Sequence, residues 1–236
     1  MGRNNYLVVA NDDYIRYVKS LIYSIRMCDP DYKVFLYIIN PETENFKLFR
    51  KKLKSYNVTY GIIKKQLSKD KGLERFSEES AFSANIRGKL LKEIVEKEDL
   101  DNLIYIDADS LIKKPLEKLC PEDKDIAFFK RSIDTCSSGL IALNITLENK
   151  EKILQMLTCF QGTIEQHGLL KWFSDQTALK DIYHEYILTD IIKFHQLESK
   201  NFDWICLEES NIWMGKGAKK ERSQYLNLQK KYEELF

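Results

Sequence analysis

The sequence predicts an α/β protein, a single domain with an open, twisted, mostly parallel sheet flanked by helices. Three observations carry that prediction. Strand-length apolar runs alternate with amphipathic helical stretches through the first hundred residues, the run Leu103-Ile104-Tyr105-Ile106 ends on Asp107-Ala108-Asp109, and 44% hydrophobic residues over 236 positions suffice for a large core. Alternation of this kind calls for parallel strands joined by right-handed crossovers, and ligands then bind beyond the carboxyl ends of the strands.

Tyr6 to Ala10 is the first apolar strand, and Asn11-Asp12-Asp13 offers caps for a helix with Tyr14, Val18, Leu21, Ile22 and Ile25 on one face. The turn from Ala10 to Tyr14 reads equally as a helix cap or as a binding turn on the same edge as Asp107. Val34 to Ile39 makes a strand, Glu42 to Tyr56 a charged amphipathic helix, and Val58 to Ile63 a third strand. Lys64 to Ser83 is polar and weakly periodic, which predicts a long mobile loop. Ala84 to Glu96 is a helix burying Ile86, Leu90, Leu91, Ile94 and Val95, with Arg87 near its start.

Leu103 to Ile106 is the central strand, ending on Asp107-Ala108-Asp109, followed by Leu111 to Leu119 past Pro115 into a turn, a strand from Ile126 to Phe129 and another from Ser137 to Asn144. Gly139, beside Ser138, permits either close ligand approach or a simple bulge. Leu147 to Phe160 is helical, and Ser174 caps a helix whose first turn holds Asp175 and Gln176. Glu221 to Phe236 closes the chain as a helix with Tyr225, Leu228, Tyr232 and Leu235 in one stripe that packs on the domain.

Charge and cysteine usage exclude several classes. Lys and Arg total 37 against 36 Asp and Glu, so no global field gathers nucleic acid. The five cysteines are scattered, without a C-x-x-C pair, and read as reduced thiols rather than a disulfide framework or zinc cluster. No secretory or transmembrane run is read, which points to a cytoplasmic protein; peripheral membrane contact and a homodimer stay open.

Two carboxylates with one small residue between them repel, and their relief is either solvation in a turn or a hard cation such as Mg²⁺ or Mn²⁺ shared with phosphates. Arg87 could pair with phosphate or with one of these aspartates. Gly215-Lys216-Gly217-Ala218-Lys219-Lys220 is a cationic loop fit to touch phosphate, although it is not a Walker loop.

Taken in order, the Ala10-Asn11-Asp12-Asp13-Tyr14 opening, the helix with Arg87, Asp107-Ala108-Asp109, the Ser138-Gly139 strand, Asp175-Gln176 and the closing Gly-Lys loop resemble the GT-A nucleotide-sugar glycosyltransferases, nearest to family eight. The resemblance implies a GT-A, Rossmann-like fold, with residues 1–110 as nucleotide-binding half, 111–220 as sugar and acceptor half and 221–236 as a terminal helix. It further implies transfer of a hexose from a nucleoside-diphosphate sugar, in this family a UDP sugar, to a glycan or other hydroxyl acceptor. Ala10, Asn11, Asp12 and Tyr14 would hold base and ribose. Asp107 and Asp109 would hold Mn²⁺ or Mg²⁺, with Ala108 between them; Arg87 would contact the donor. Ser138, Gly139, Asp175 and Gln176 would line the sugar and acceptor region, and Lys216 and Lys220 would steady the pyrophosphate.

Two features depart from the family pattern. Alignment on Gly217 and Lys220 puts Met214 where a histidine usually serves as third metal ligand, which leaves Asn211, another side chain or water to complete the shell, or a weakly held ion. The proline and tryptophan that usually follow the final lysine are missing, so retention or inversion is open. An inverting reaction needs a carboxylate base, for which Asp134 and Asp175 are the candidates. Two rivals remain: a binder of nucleotide sugar or glycan without turnover, and a haloacid-dehalogenase-type phosphatase, against which stands Leu111 four residues after Asp107.

Overall fold

The computed structural model describes residues 3–42, 44–70, 76–116, 118–132, 134–215 and 217–236. In chain order the elements are β1 (Asn4–Asn11), α1 (Ile15–Cys28), β2 (Tyr32–Ile39), α2 (Glu44–Leu53), β3 (Val58–Ile63), α3 (Glu78–Asn85), α4 (Arg87–Lys97) and β4 (Asn102–Ile106). Then come β5 (Ser110–Ile112), β6 (Ile126–Ser132), β7 (Thr135–Asn144), α5 (Lys150–His167), α6 (Ser174–Ile182), β8 (Phe194–Gln196), β9 (Ile212–Met214) and α7 (Ser223–Leu235). The main sheet has the order β3-β2-β1-β4-β7-β6-β8, and β5 pairs with β9 in a two-stranded sheet. Contacts divide the chain into two compact units, residues 1–64, 106–118 and 197–236 in the first and 65–105 and 119–196 in the second. The functional halves expected at residue 110 are a reading of role, and compactness follows a different division.

In the first unit β1 and β2 run parallel from Asn4↔Tyr32 to Asn11↔Ile39, and β2 and β3 are parallel as well. β1 is buried from Asn5 to Asn11 on both its faces, as an interior parallel strand requires, whereas β3 is half exposed. The Ser24 hydroxyl accepts the Ile112 N–H at 3.1 Å, which ties α1 to β5. The Ser20 hydroxyl donates to the Gln229 carbonyl at 2.8 Å and joins α1 to α7. Of the stripe expected on α7, Tyr225 is buried but Leu235 is half exposed, and Gln229 is buried through its bonds to α1.

In the second unit β6 and β7 form an antiparallel hairpin, and β6 pairs in parallel with β8, a strand that periodicity did not reveal because it is three residues long. Several expected bounds change for local reasons. The helix expected from Glu42 ends at Leu53 and tightens into a 3-10 turn, Lys54–Tyr56. The long loop is interrupted: the Ser77 hydroxyl accepts the Ser80 N–H and starts α3 inside it, while residues 71–75 of that loop lie outside the described residues. What reads as one helix from Ala84 is two, separated at Ile86. The central strand, β4, ends at Ile106 before the Asp107–Asp109 turn as read, and a short strand that periodicity did not reveal, β5, follows the turn.

Caps differ too. No side-chain cap bond is made at Asn11 or Tyr14, where Asp12–Tyr14 form a 3-10 turn into α1. Phe173, with φ of 70°, precedes α6, and the Ser174 hydroxyl turns back to donate to the Gly168 and Lys171 carbonyls. α5 begins at Lys150 and continues seven residues past Phe160, while the last helix begins at Ser223 after a 3-10 turn, Gly217–Glu221. All five cysteines are free thiols.

Candidate functional site

In the first unit the site is built on the backbone of Asp109. A turn closed by the Ser110 N–H on the Asp107 carbonyl at 3.0 Å leads into β5. The Asp109 carbonyl then accepts the Gly215 N–H at 2.8 Å and the buried Tyr225 hydroxyl at 2.7 Å. Gly215 is needed there, because a Cβ would stand 2.7 Å from that carbonyl and 2.8 Å from the Tyr225 hydroxyl. The aspartate is thus held by β9 and α7.

Its side chain meets a cation of the chain's own. Lys220 Nζ lies 2.7 Å from Asp109 Oδ2 and donates to the Tyr14 hydroxyl at 2.7 Å. It also sits 4.2 Å from the Tyr14 ring centroid and 5.0 Å from that of Tyr17, within reach of cation–π attraction. Burial alone would lower the Lys220 pKa, but Asp109 and then Tyr14 outweigh it, so the ammonium is held above its ordinary value. Burial and the Asp109 charge push the Tyr14 phenol up, with a smaller push from Asp107, and burial does the same to Tyr225. Both phenols stay protonated at neutral pH, Tyr14 accepting from Lys220 and Tyr225 donating to the Asp109 carbonyl.

Asn11 ends β1, just before the 3-10 turn that has Tyr14 at its last position, with its side chain buried and its Oδ1 without a hydrogen-bond partner. Leaving such an acceptor dry costs about 1–3 kcal/mol, which a ligand N–H or O–H would recover. Ala10 is buried, while Asp12 and Asp107 are half-buried. Lys216, expected on pyrophosphate, lies outside the described residues.

The residues present do not fit the expected divalent-metal site. Asp109 Oδ2 is committed to Lys220. At the third-ligand position Met214 is fully buried in β9, and its sulfur accepts the Ser110 hydroxyl at 3.1 Å. Asn211, the alternative, donates through Nδ2 to Asn201 Oδ1 at 2.8 Å, which orients the amide without engaging Oδ1, the atom that would bind an ion. Among the described residues no group of three His, Cys, Asp or Glu side chains converges.

The second unit gathers a different set. Arg87, at the start of α4, donates through Nε to the Ala84 carbonyl and through Nη1 to the Ser138 carbonyl of β7, with its guanidinium 4.4 Å from the Tyr105 ring centroid. Nη1 also lies 3.3 Å from Asp175 Oδ2, and both side chains are almost wholly buried. The Ser138 hydroxyl donates to that same oxygen, and the Asp175 N–H donates to Asn85 Oδ1 at 3.0 Å. Asn85 in turn donates to the Leu169 and Lys171 carbonyls at 2.9 and 2.8 Å.

Arg87 therefore pairs with Asp175, a partner that the sequence did not suggest. A carboxylate so paired and enclosed positions its neighbours. Gly139 is buried in β7 and Gln176 is half-buried in the first turn of α6. Asp134 does not join this set: it stands exposed in the β6–β7 turn, with its Oδ1 4.0 Å from His184 Nε2.

Sequence reasoning missed Asn85, Tyr17, Tyr225 and the stack of Phe76 on Trp172, whose ring centroids are 3.8 Å apart. Asn85 had the clearest signal, a polar residue on the apolar face of its helix. The tyrosines read as ordinary core.

The fold built from these elements is that of the GT-A glycosyltransferases. The glycosyltransferase GlyE of Streptococcus pneumoniae TIGR4 superposes with a TM-score of 0.61 at 15% identity, covering 99% of this chain and 60% of its own. The chain thus spans about three fifths of GlyE's length. The galactosyltransferase LgtC, solved with donor and acceptor sugar analogs, gives 0.58 at 13% identity over 98% of this chain and 94% of its own. The bifunctional glycosyltransferase WbbM gives 0.56 at 12% identity, over 97% and 51%. No family model and no curated protein matches the sequence. At these identities the likeness is one of fold.

Proposed function

We propose that the chain is a glycosyltransferase that moves a hexose from a nucleoside-diphosphate sugar, UDP-linked by the family resemblance, to a hydroxyl of a glycan or other acceptor. The observation that carries this reading is the Asp109–Lys220–Tyr14 constellation, an ammonium oriented by Tyr14 of the turn that follows β1, together with the unpartnered Asn11 acceptor at the carboxyl end of that strand. Breaking the anomeric C–O bond leaves a diphosphate whose negative charge grows in the transition state. A fixed cation in a partly dry site stabilises that growth more than water does, because it is already oriented.

Asn11 Oδ1 accepts from the base or ribose, and the Ala10 to Tyr14 turn frames the nucleotide. Asp109 orients Lys220. In the other unit Arg87 and Asp175 fix Ser138 and Gly139 on β7 and Gln176 on α6, the residues the resemblance gives to sugar and acceptor. Asp175 is assigned a positioning role. The Mn²⁺ or Mg²⁺ expected on Asp107 and Asp109 is not carried into this mechanism, since the described donors do not fit it.

The test is release of nucleoside diphosphate from UDP- and GDP-hexoses by the purified protein. Release that depends on Lys220 supports the proposal. Binding without release supports the non-catalytic rival, and phosphate release from a generic phosphoester would support the phosphatase.

A further inference from the structure

The misfit between the expected metal site and the residues that stand there has a positive side. We propose that the Lys220 ammonium is the resident cation of the donor site, so that this chain binds nucleoside diphosphates without a divalent metal; the inference rests on the donor reading above.

Geometry supports it from four directions. Lys220 Nζ already sits on Asp109 Oδ2, at 2.7 Å. A divalent ion on the same oxygen would stand against a fixed positive charge, so ion and ammonium compete for one carboxylate. The two tyrosine rings and the Tyr14 hydroxyl hold the ammonium in place, while Gly215 and Tyr225 hold the Asp109 backbone that anchors it. An ammonium has three protons, of which Asp109 and Tyr14 take two, and the side chain keeps 16% exposure through which the third can reach a phosphate oxygen.

Chemistry at the neighbouring position agrees. A thioether is a poor partner for a hard ion, and Met214 is turned instead into the β5–β9 pairing, where Ser110 bonds its sulfur. The chain has thus built a buried apolar contact at the position where an oxygen or nitrogen ligand would be required.

The experiment is calorimetric titration of the full chain with UDP and with GDP, in EDTA and in Mn²⁺. The expected result is binding of at least one of them in EDTA, with a Kd within about threefold of that in Mn²⁺. Lys220→Met should weaken it at least about tenfold in both buffers, and Lys220→Arg should keep most of it. Because Lys220→Met strands the Asp109 charge and could unfold the chain, the double variant Asp109→Asn/Lys220→Met is measured alongside. It removes both partners, and it should melt near the wild type yet still fail to bind.

Binding seen only with Mn²⁺, or restored to Lys220→Met by Mn²⁺, overturns the inference and leaves the donor reading intact. Binding of neither nucleotide in either buffer overturns both.

Discussion

A single missing Cβ shows how tightly the Asp109 segment is built. Gly215→Ala would put a methyl 2.7 Å from the Asp109 carbonyl oxygen and 2.8 Å from the Tyr225 hydroxyl, so β9 must shift and the hydrogen bonds to Asp109 must lengthen. We expect a loss of about 1–3 kcal/mol in urea unfolding, as overpacking costs elsewhere. Gly162→Ala is the matched control. In α5 a Cβ there meets nothing within 4 Å, so the substitution should gain about 0.5–1 kcal/mol from helix propensity. Asp107, Asp109, Lys220 and Tyr14 were all legible as polar residues in a suggestive order. That Lys220 would sit on Asp109 was not, because a contact between residues 109 and 220 leaves no periodic trace in the chain. Met214 carried the warning: it marked the place where the family pattern fails.

At the level of elements, the Arg87–Asp175 pair joins α4, β7 and α6 in the second unit. Both side chains are almost wholly buried, so removing Asp175 takes an ion-pair partner from a buried guanidinium, at a cost of about 3–5 kcal/mol. Asp175→Ala should therefore lower the midpoint of chemical denaturation sharply, and Asp175→Asn less, since an amide still accepts the Ser138 hydroxyl. If Asp175 were instead a free base, Asp175→Asn would abolish turnover with no loss of stability. Elements with long apolar periodicity were readable, β1 and β2 within two residues and α4 within three. Short ones escaped: β8 and β9 are three residues each, and α3 lies in a stretch with little amphipathic contrast. Packing rather than pattern decides them.

For the molecule as a whole, alternation of strand and helix was enough to fix the α/β class, and the order of weak motifs pointed to the fold that GlyE and LgtC share. One global consequence concerns alkaline pH. Burial pushes the Cys28 and Cys136 thiols up to about 11 from an ordinary value of 9.0. Between those values the unfolded chain has released protons that the folded chain retains, so stability falls as pH rises. The Lys220–Asp109 pair adds to the same loss at its upper end, because Lys220 is held above the ordinary lysine value of 10.5 and keeps a proton that the unfolded chain begins to release there. Melting temperature should be flat from pH 7 to about 9 and decline toward about 11, and both thiols should alkylate slowly at pH 8.

The most direct measurement is nucleoside diphosphate release from a panel of UDP- and GDP-hexoses, followed for the wild type and for Lys220→Met with folding checked by circular dichroism. Release from at least one donor, reduced at least about tenfold in the variant, is the result expected when the ammonium stabilises the departing diphosphate. A folded wild type that releases nothing from any donor, or a variant as active as the wild type, would contradict it.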